Sequence, residues 1–187
     1  MCGICGFVGS GDQSILARMM TSMPHRGPDD VGQWHDSHDL YLGHLRLAIV
    51  DLKDGCQPMV SIDKSLVLVF NGEIYNHRDL RRELEAKGHV FQTASSDTEV
   101  ILHGYREWGK EVVHKLNGMW AFALFDKKND YLWLSRDRFG KKPLYYALIG
   151  DTFVFASELT SLVLHPAVKP RIDELSLIKY FAYGYVP

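Results

Sequence analysis

An antiparallel α+β sandwich is the fold class that this sequence predicts, and three observations carry the prediction. Short apolar runs of strand length succeed one another on short, turn-rich connections, as antiparallel neighbours do. Segments with helical spacing come in groups instead of alternating one for one with the strands, which argues against a parallel doubly wound sheet. With 187 residues, 46% of them apolar and 12% aromatic, the chain can bury a full core, and no repeat or low-complexity segment divides it into a second domain.

The elements follow in chain order. Alternation over residues 4–8 predicts a first strand, and Gly9-Ser10-Gly11-Asp12 makes a turn that caps a helix running to about Met23. Ser14 stands where a dinucleotide-binding loop needs glycine, so the turn is a plain one. Residues 23–30 hold two prolines and a glycine and read as irregular backbone. Three strands are expected over 31–35, 40–44 and 45–51, with a turn at Asp54-Gly55. Residues 66–70 form a continuous apolar run that stops at Asn71-Gly72-Glu73, and Asn-Gly by itself signals a hairpin turn.

Asn76 is placed to cap a helix to about Lys87, with Leu80 and Leu84 on its inner face and Gly88 ending it. Ser96-Asp97-Thr98-Glu99 fits a capping box, which puts Asp97 in the first turn of a helix carrying Val100, Ile101, Tyr105 and Trp108. Strands over 119–126, 131–136, 144–149 and 152–156 and helices over 158–164 and 173–183 complete the chain.

Composition excludes several functions. A net charge of −2 with acids and bases interspersed leaves no basic stripe for a phosphate backbone, so nucleic acid is not an expected partner. No run is long enough to span a bilayer and no basic segment precedes an apolar one at the N-terminus, which points to the cytoplasm. Cys2, Cys5 and Cys56 form no even disulfide framework. The C-x-x-C of Cys2 and Cys5 lacks the second pair of a zinc site and the following helix of a redox motif, and His35 and His38 lack a third ligand, so no metal is expected.

One position carries chemistry. Cys2 follows the initiator methionine, and trimming of Met1 would put a thiol and a free α-amine on one residue. A thiol reacts as its thiolate, and an α-amine titrates near ~8, so the amine can relay the thiol proton at neutral pH. On position alone, Cys2 reads as the second residue of a buried strand, and it is the downstream residues that reverse this reading.

The chain resembles the N-terminal glutaminase domain of glutamine-hydrolysing asparagine synthetases, a class II glutamine amidotransferase. The matching segments are Met1-Cys2-Gly3-Ile4, His25-Arg26-Gly27-Pro28-Asp29, Leu42-Gly43-His44-Leu45-Arg46-Leu47, Gln57-Pro58-Met59, Phe70-Asn71-Gly72-Glu73-Ile74-Tyr75-Asn76, Ser96-Asp97-Thr98-Glu99 and the stretch from Arg136-Asp137-Arg138-Phe139-Gly140 to Pro143-Leu144-Tyr145-Tyr146. They stand in the family's order and cover almost the whole chain.

The resemblance implies the N-terminal nucleophile hydrolase fold, a four-layer sandwich with two stacked antiparallel sheets between helical layers. It also implies Cys2 as nucleophile, Asn71 and Gly72 as oxyanion hole, and Arg46, Asn71, Gly72, Glu73 and Asp97 as binding residues for L-glutamine. Arg46 would hold the substrate carboxylate and Asp97 its ammonium. No cofactor is implied for this half. ATP and Mg belong to the family's synthetase domain, whose S-G-G-x-D-S loop is not among these residues. Pro187 falls where the family's linker begins, so a C-terminal synthetase domain or a separate synthetase is the expected partner, and a homodimer is compatible with it. Cys5 departs from the small or apolar residue frequent there and reads as packing. Three alternatives stay open: an amidotransferase with another acceptor, such as an amino-sugar or surface-polysaccharide pathway; a cysteine hydrolase acting on other amides; and an inactive interaction domain that retains Met1.

Overall fold

The computed structural model describes residues 1–37, 39–48 and 55–186. Nine strands and six α-helices are found among them: β1 (Gly3–Val8), α1 (Gln13–Thr21), β2 (Asp30–His35), β3 (Leu40–Arg46), β4 (Met59–Val60), β5 (Leu66–Ile74), α2 (His77–Ala86), α3 (Glu99–Trp108), α4 (Val112–Lys115), β6 (Gly118–Asp126), β7 (Tyr131–Arg136), β8 (Tyr145–Ile149), β9 (Thr152–Ala156), α5 (Leu159–Leu162) and α6 (Glu174–Tyr183). The strands form two antiparallel sheets, β2-β3-β1-β9-β8 and β4-β5-β6-β7.

Strand periodicity sorts the core into three apolar layers. Ile4, Leu40, Leu42, Val67, Val69, Ala121, Ala123 and Phe155 meet between the sheets. The opposite face of the first sheet presents Cys5 and Phe7 to Leu16, Met19 and Met20 of α1. The opposite face of the second presents Leu66, Leu68 and Phe70 to Leu80 of α2 and to Val100 and Ile101 of α3. Helix, sheet, sheet, helix is therefore the order of layers. Among the described residues no helix is long and apolar enough to cross a membrane.

Most expected elements are present, and α1 is capped as anticipated, with Asp12 accepting from the N–H groups of Ser14 and Ile15. Four local readings need correction. Asn71-Gly72 is not a hairpin turn: β5 runs through it to Ile74, because β6 supplies a nine-residue partner in continuous register from Leu66↔Asp126 to Ile74↔Gly118. The glycine serves close approach, since a Cβ at residue 72 would collide with the Met119 carbonyl. Residues 40–46 form one strand, not two, and His38, residues 49–51 and Asp54 lie outside the described residues.

Asn76 does not cap α2 through its side chain. That side chain instead bonds the Lys115 carbonyl at 2.9 Å and the Asn117 N–H at 2.9 Å. The predicted capping box before α3 is not formed either. Glu99 turns its carboxylate back on Gln92 N–H, Thr93 N–H and the Thr93 hydroxyl at 2.7, 2.8 and 2.6 Å, and Asp97 precedes the helix. These bonds and His103 outweigh the upward push of burial and hold the Glu99 carboxyl at about 2.

Candidate active site

The layer between the sheets is apolar along its length and becomes polar at one end. On β3 the alternation that faces Leu40 and Leu42 inward also places His44 and Arg46 on that face. On β5 it carries Val67, Val69 and then Asn71, and Cys2 shares the parity of Ile4 on β1. Three strands thus deliver Cys2, Arg46 and Asn71 to one cavity of about 100 Å³, which Gln57, Gly72, Glu73, Asp97, Thr98, Met119 and Lys142 also line. Every candidate named from the sequence borders it: Cys2, Arg46, Asn71, Gly72, Glu73 and Asp97.

Cys2 is half-buried. Its sulfur accepts from the Leu47 N–H at 3.4 Å, and its thiol lies 3.7 Å from the Leu47 carbonyl. The segment around it is braced from the C-terminal part of the first sheet: Ser157 accepts the Ile4 N–H at 3.0 Å, and Arg26 binds both Glu158 and the Cys2 carbonyl. Asp29 fixes the other wall by donating its N–H to the Arg46 carbonyl at 3.0 Å and accepting the Ala48 N–H at 2.8 Å. Cys5, by contrast, is wholly buried, and that burial pushes its thiol up to about 12, so it packs as expected.

The edge of β5 supplies the hydrogen-bond donors. Its neighbour β4 pairs with Val67 and Leu68, and beyond Leu68 one edge of β5 has no strand beside it among the described residues. Backbone N–H groups two residues apart point to the same edge. The Phe70 N–H is taken by the Gln57 side-chain carbonyl at 2.6 Å and the Ile74 N–H by the Asp97 carboxylate at 3.0 Å. Gly72, between them, turns its N–H to the same open edge. Asn71 is 1% exposed, and its amide nitrogen, Nδ2, has no hydrogen-bond partner among the described residues. A buried donor without a partner is costly, and the residue that carries it lines the same cavity as Cys2.

Two carboxylates shape the charge. Burial is the main influence raising the Asp97 pKa, and neighbouring Glu73 adds to it, while the Ile74 N–H and His77 oppose. Asp137 is held low instead. Burial acts upward, but the N–H groups of Lys142, Lys141, Trp120 and Phe139 together outweigh it. Those bonds fix the 137–142 loop and place the buried Lys142 at the cavity wall.

The sequence assigned no role to His44, Gln57, Met119 or Lys142, although all but Met119 lie within the segments that carry the family resemblance. The strand period on β3 was the available signal for His44. No local pattern marks the rest, because they arrive from separate elements.

Comparison with known proteins agrees with this geometry. The sequence profile of the glutamine amidotransferase domain matches residues 1–187. Asparagine synthetase [glutamine-hydrolyzing] 3 of Bacillus subtilis is 44% identical over 191 residues, covering 98% of this chain and 31% of that protein. Asparagine synthetase [glutamine-hydrolyzing] 2 of Oryza sativa subsp. japonica is 46% identical over 169 residues, covering 87% of this chain and 28% of its own length. Among solved structures, the glutamine phosphoribosylpyrophosphate amidotransferase of B. subtilis superposes with a TM-score of 0.74 at 26% identity, over 87% of this chain and 43% of that one. The chain spans about a third of the length of the curated relatives it matches. A cysteine and an unpartnered amide donor at the polar end of two stacked antiparallel sheets, together with a profile match from end to end, make this chain a member of the glutamine amidotransferase domain family.

Proposed function

We propose that this domain hydrolyses L-glutamine to L-glutamate and ammonia through a glutamyl thioester on Cys2. The observation that supports this best is the buried, unpartnered Asn71 amide in the cavity that Cys2 borders. With Met1 in place, the Cys2 nitrogen is a peptide amide. Removal of Met1 turns it into the amine that accepts the thiol proton. Sulfur then attacks the carboxamide carbon, and the C=O π pair moves onto oxygen, which Asn71 Nδ2 and Gly72 N–H receive. Collapse breaks the C–N bond, and the proton held by the amine leaves with ammonia. Water adds to the thioester with the same amine as base, releasing glutamate and restoring the thiol. Base and clamp both come from the chain, so this half needs no metal.

Arg46 would grip the substrate carboxylate and Asp97 the ammonium, with Glu73 completing the acidic side. An arginine fork holds both carboxylate oxygens where lysine offers a point charge. By analogy with the asparagine synthetases it resembles, the ammonia would pass to an ATP- and Mg-using synthetase portion or partner that amidates aspartate. A cytoplasmic setting fits three cysteines that are all free thiols. Release of ammonia from glutamine by Met1-free protein, with a transient mass gain of one glutamyl group on Cys2, tests the reading. Hydrolysis at an undiminished rate by protein that keeps Met1 would overturn it.

Asp97 yields a test with a defined sign. Its pKa is raised in the folded protein, so between the ordinary carboxylate value and that raised value the folded protein binds the extra proton, and stability declines as pH rises through the window. Glutamine binding needs the ionised form. The KM for glutamine is therefore expected to climb as pH falls into that window. Asp97→Asn should abolish this limb, raise KM by about 10–10²-fold as loss of a buried charge partner does, and leave the empty protein at least as stable at neutral pH. Steady-state kinetics against pH and thermal melts check the three statements.

A further inference from the structure

The two peptide groups that flank Phe70, Val69–Phe70 and Phe70–Asn71, are each held by a buried side chain that plays no part in the steps above. Gln57 accepts the Phe70 N–H at 2.6 Å, and His44 donates Nε2–H to the Phe70 carbonyl at 3.1 Å. The two residues come from opposite sides of the sandwich. His44 stands on β3 of the first sheet, and Gln57 lies just before β4 of the second. They are 1% and 8% exposed. The Gln57 amide is itself oriented, because its nitrogen lies 3.5 Å from the Thr98 hydroxyl, next to Asp97.

This is the point at which β5 loses the support of β4. From here the strand must present the Asn71 side chain and the Gly72 N–H to one developing charge. We propose that Gln57 and His44 are positioning residues of the oxyanion hole, fixing the backbone of Phe70 through its N–H and its carbonyl from the two sheets so that Asn71 and Gly72 converge. The inference rests on the glutaminase reading and deepens it. A side-chain acceptor replaces the missing strand at Phe70, and a cross-sheet donor fixes the tilt of the peptide plane. A misplacement of ~1 Å in such a constellation costs on the order of 10²-fold in rate. His44 can do this as a neutral donor, since burial, with the Arg46 charge adding to it, brings its pKa down to about 4.

The test uses the full chain with Met1 removed and three readouts: kcat and KM for glutamine, and the rate of Cys2 alkylation by iodoacetamide, a reaction that forms no oxyanion. Gln57→Met and His44→Phe remove the two bonds at similar volume. Each is expected to lower kcat by about 10–10²-fold, with KM within about 3-fold and alkylation within about 2-fold of wild type. His44→Gln keeps an N–H donor and should recover most of the loss. Should the bulkier variants not fold, Gln57→Ala and His44→Ala, which leave room for water at Phe70, are read by the same three numbers. Unchanged kcat, a loss carried by KM, or alkylation falling in step with kcat would each overturn the proposal. Failure of the underlying reading looks different: the wild-type protein would then release no ammonia from glutamine at all.

Discussion

Cys2→Ala is expected to reduce ammonia release from glutamine by about 10⁴-fold or more, the scale on which removal of a covalent nucleophile acts. The rest of the site would stay assembled. The bonds of the Cys2 sulfur are to the Leu47 backbone, and alanine loses only these, while the Ile4 N–H bond to Ser157 and the Arg26 bond to the residue 2 carbonyl, which alanine keeps, still anchor the segment. Glutamine affinity in Cys2→Ala should therefore stay within about 3-fold of wild type, which separates loss of the nucleophile from loss of the pocket. Calorimetric titration with glutamine and a coupled ammonia assay measure the two quantities. Turnover above about a hundredth of wild type would mean that another group does the chemistry. Cys5 is no candidate, being wholly buried with a thiol held at about 12. Amides lacking the α-amino or α-carboxyl group extend the test, because only an enzyme that uses Asp97 and Arg46 discriminates against them. A general cysteine hydrolase would accept them.

The sequence was most legible where one element carried the whole signal. Alternation along β1 and β5, the Asp12 cap and the Gly88 stop were each readable from a few neighbouring residues, and the layers of the sandwich follow from that alternation. It was least legible where a local signal competed with a partner far along the chain. Asn-Gly favours a tight turn, but β6 offers hydrogen bonds through the whole of β5, and the register through Asn71↔Ala121 and Gly72↔Trp120 prevails. Ser96 to Glu99 has the letters of a capping box, yet the Glu99 carboxylate finds three donors in Gln92 and Thr93. The site divides in the same way. Cys2, Arg46, Asn71, Gly72, Glu73 and Asp97 were reachable through quoted segments, and the cavity brings them together. The grip of Gln57 and His44 on Phe70 was not reachable, because it depends on where β4 ends, which two residues of strand cannot announce in advance.

Asn71→Ala should cost about 10²–10³ in kcat, the typical loss when one oxyanion donor is removed. The structure makes the sign of the accompanying stability change informative. Asn71 Nδ2 is buried without a hydrogen-bond partner among the described residues, a condition that generally costs about 1–3 kcal/mol. Alanine removes that orphan group, and the β5 backbone bonds to β6 do not depend on the side chain. The variant should thus melt no lower than an ordinary large-to-small buried substitution requires, while losing nearly all turnover. Asn71→Asp is the sharper companion. It keeps the shape, replaces the donor by a carboxylate, and sets a negative charge against the developing oxyanion, so its kcat should fall below that of alanine. If Asn71→Asp retains wild-type turnover, or if Asn71→Ala loses KM and not kcat, the amide serves to hold the substrate in its ground state and the oxyanion must be received elsewhere.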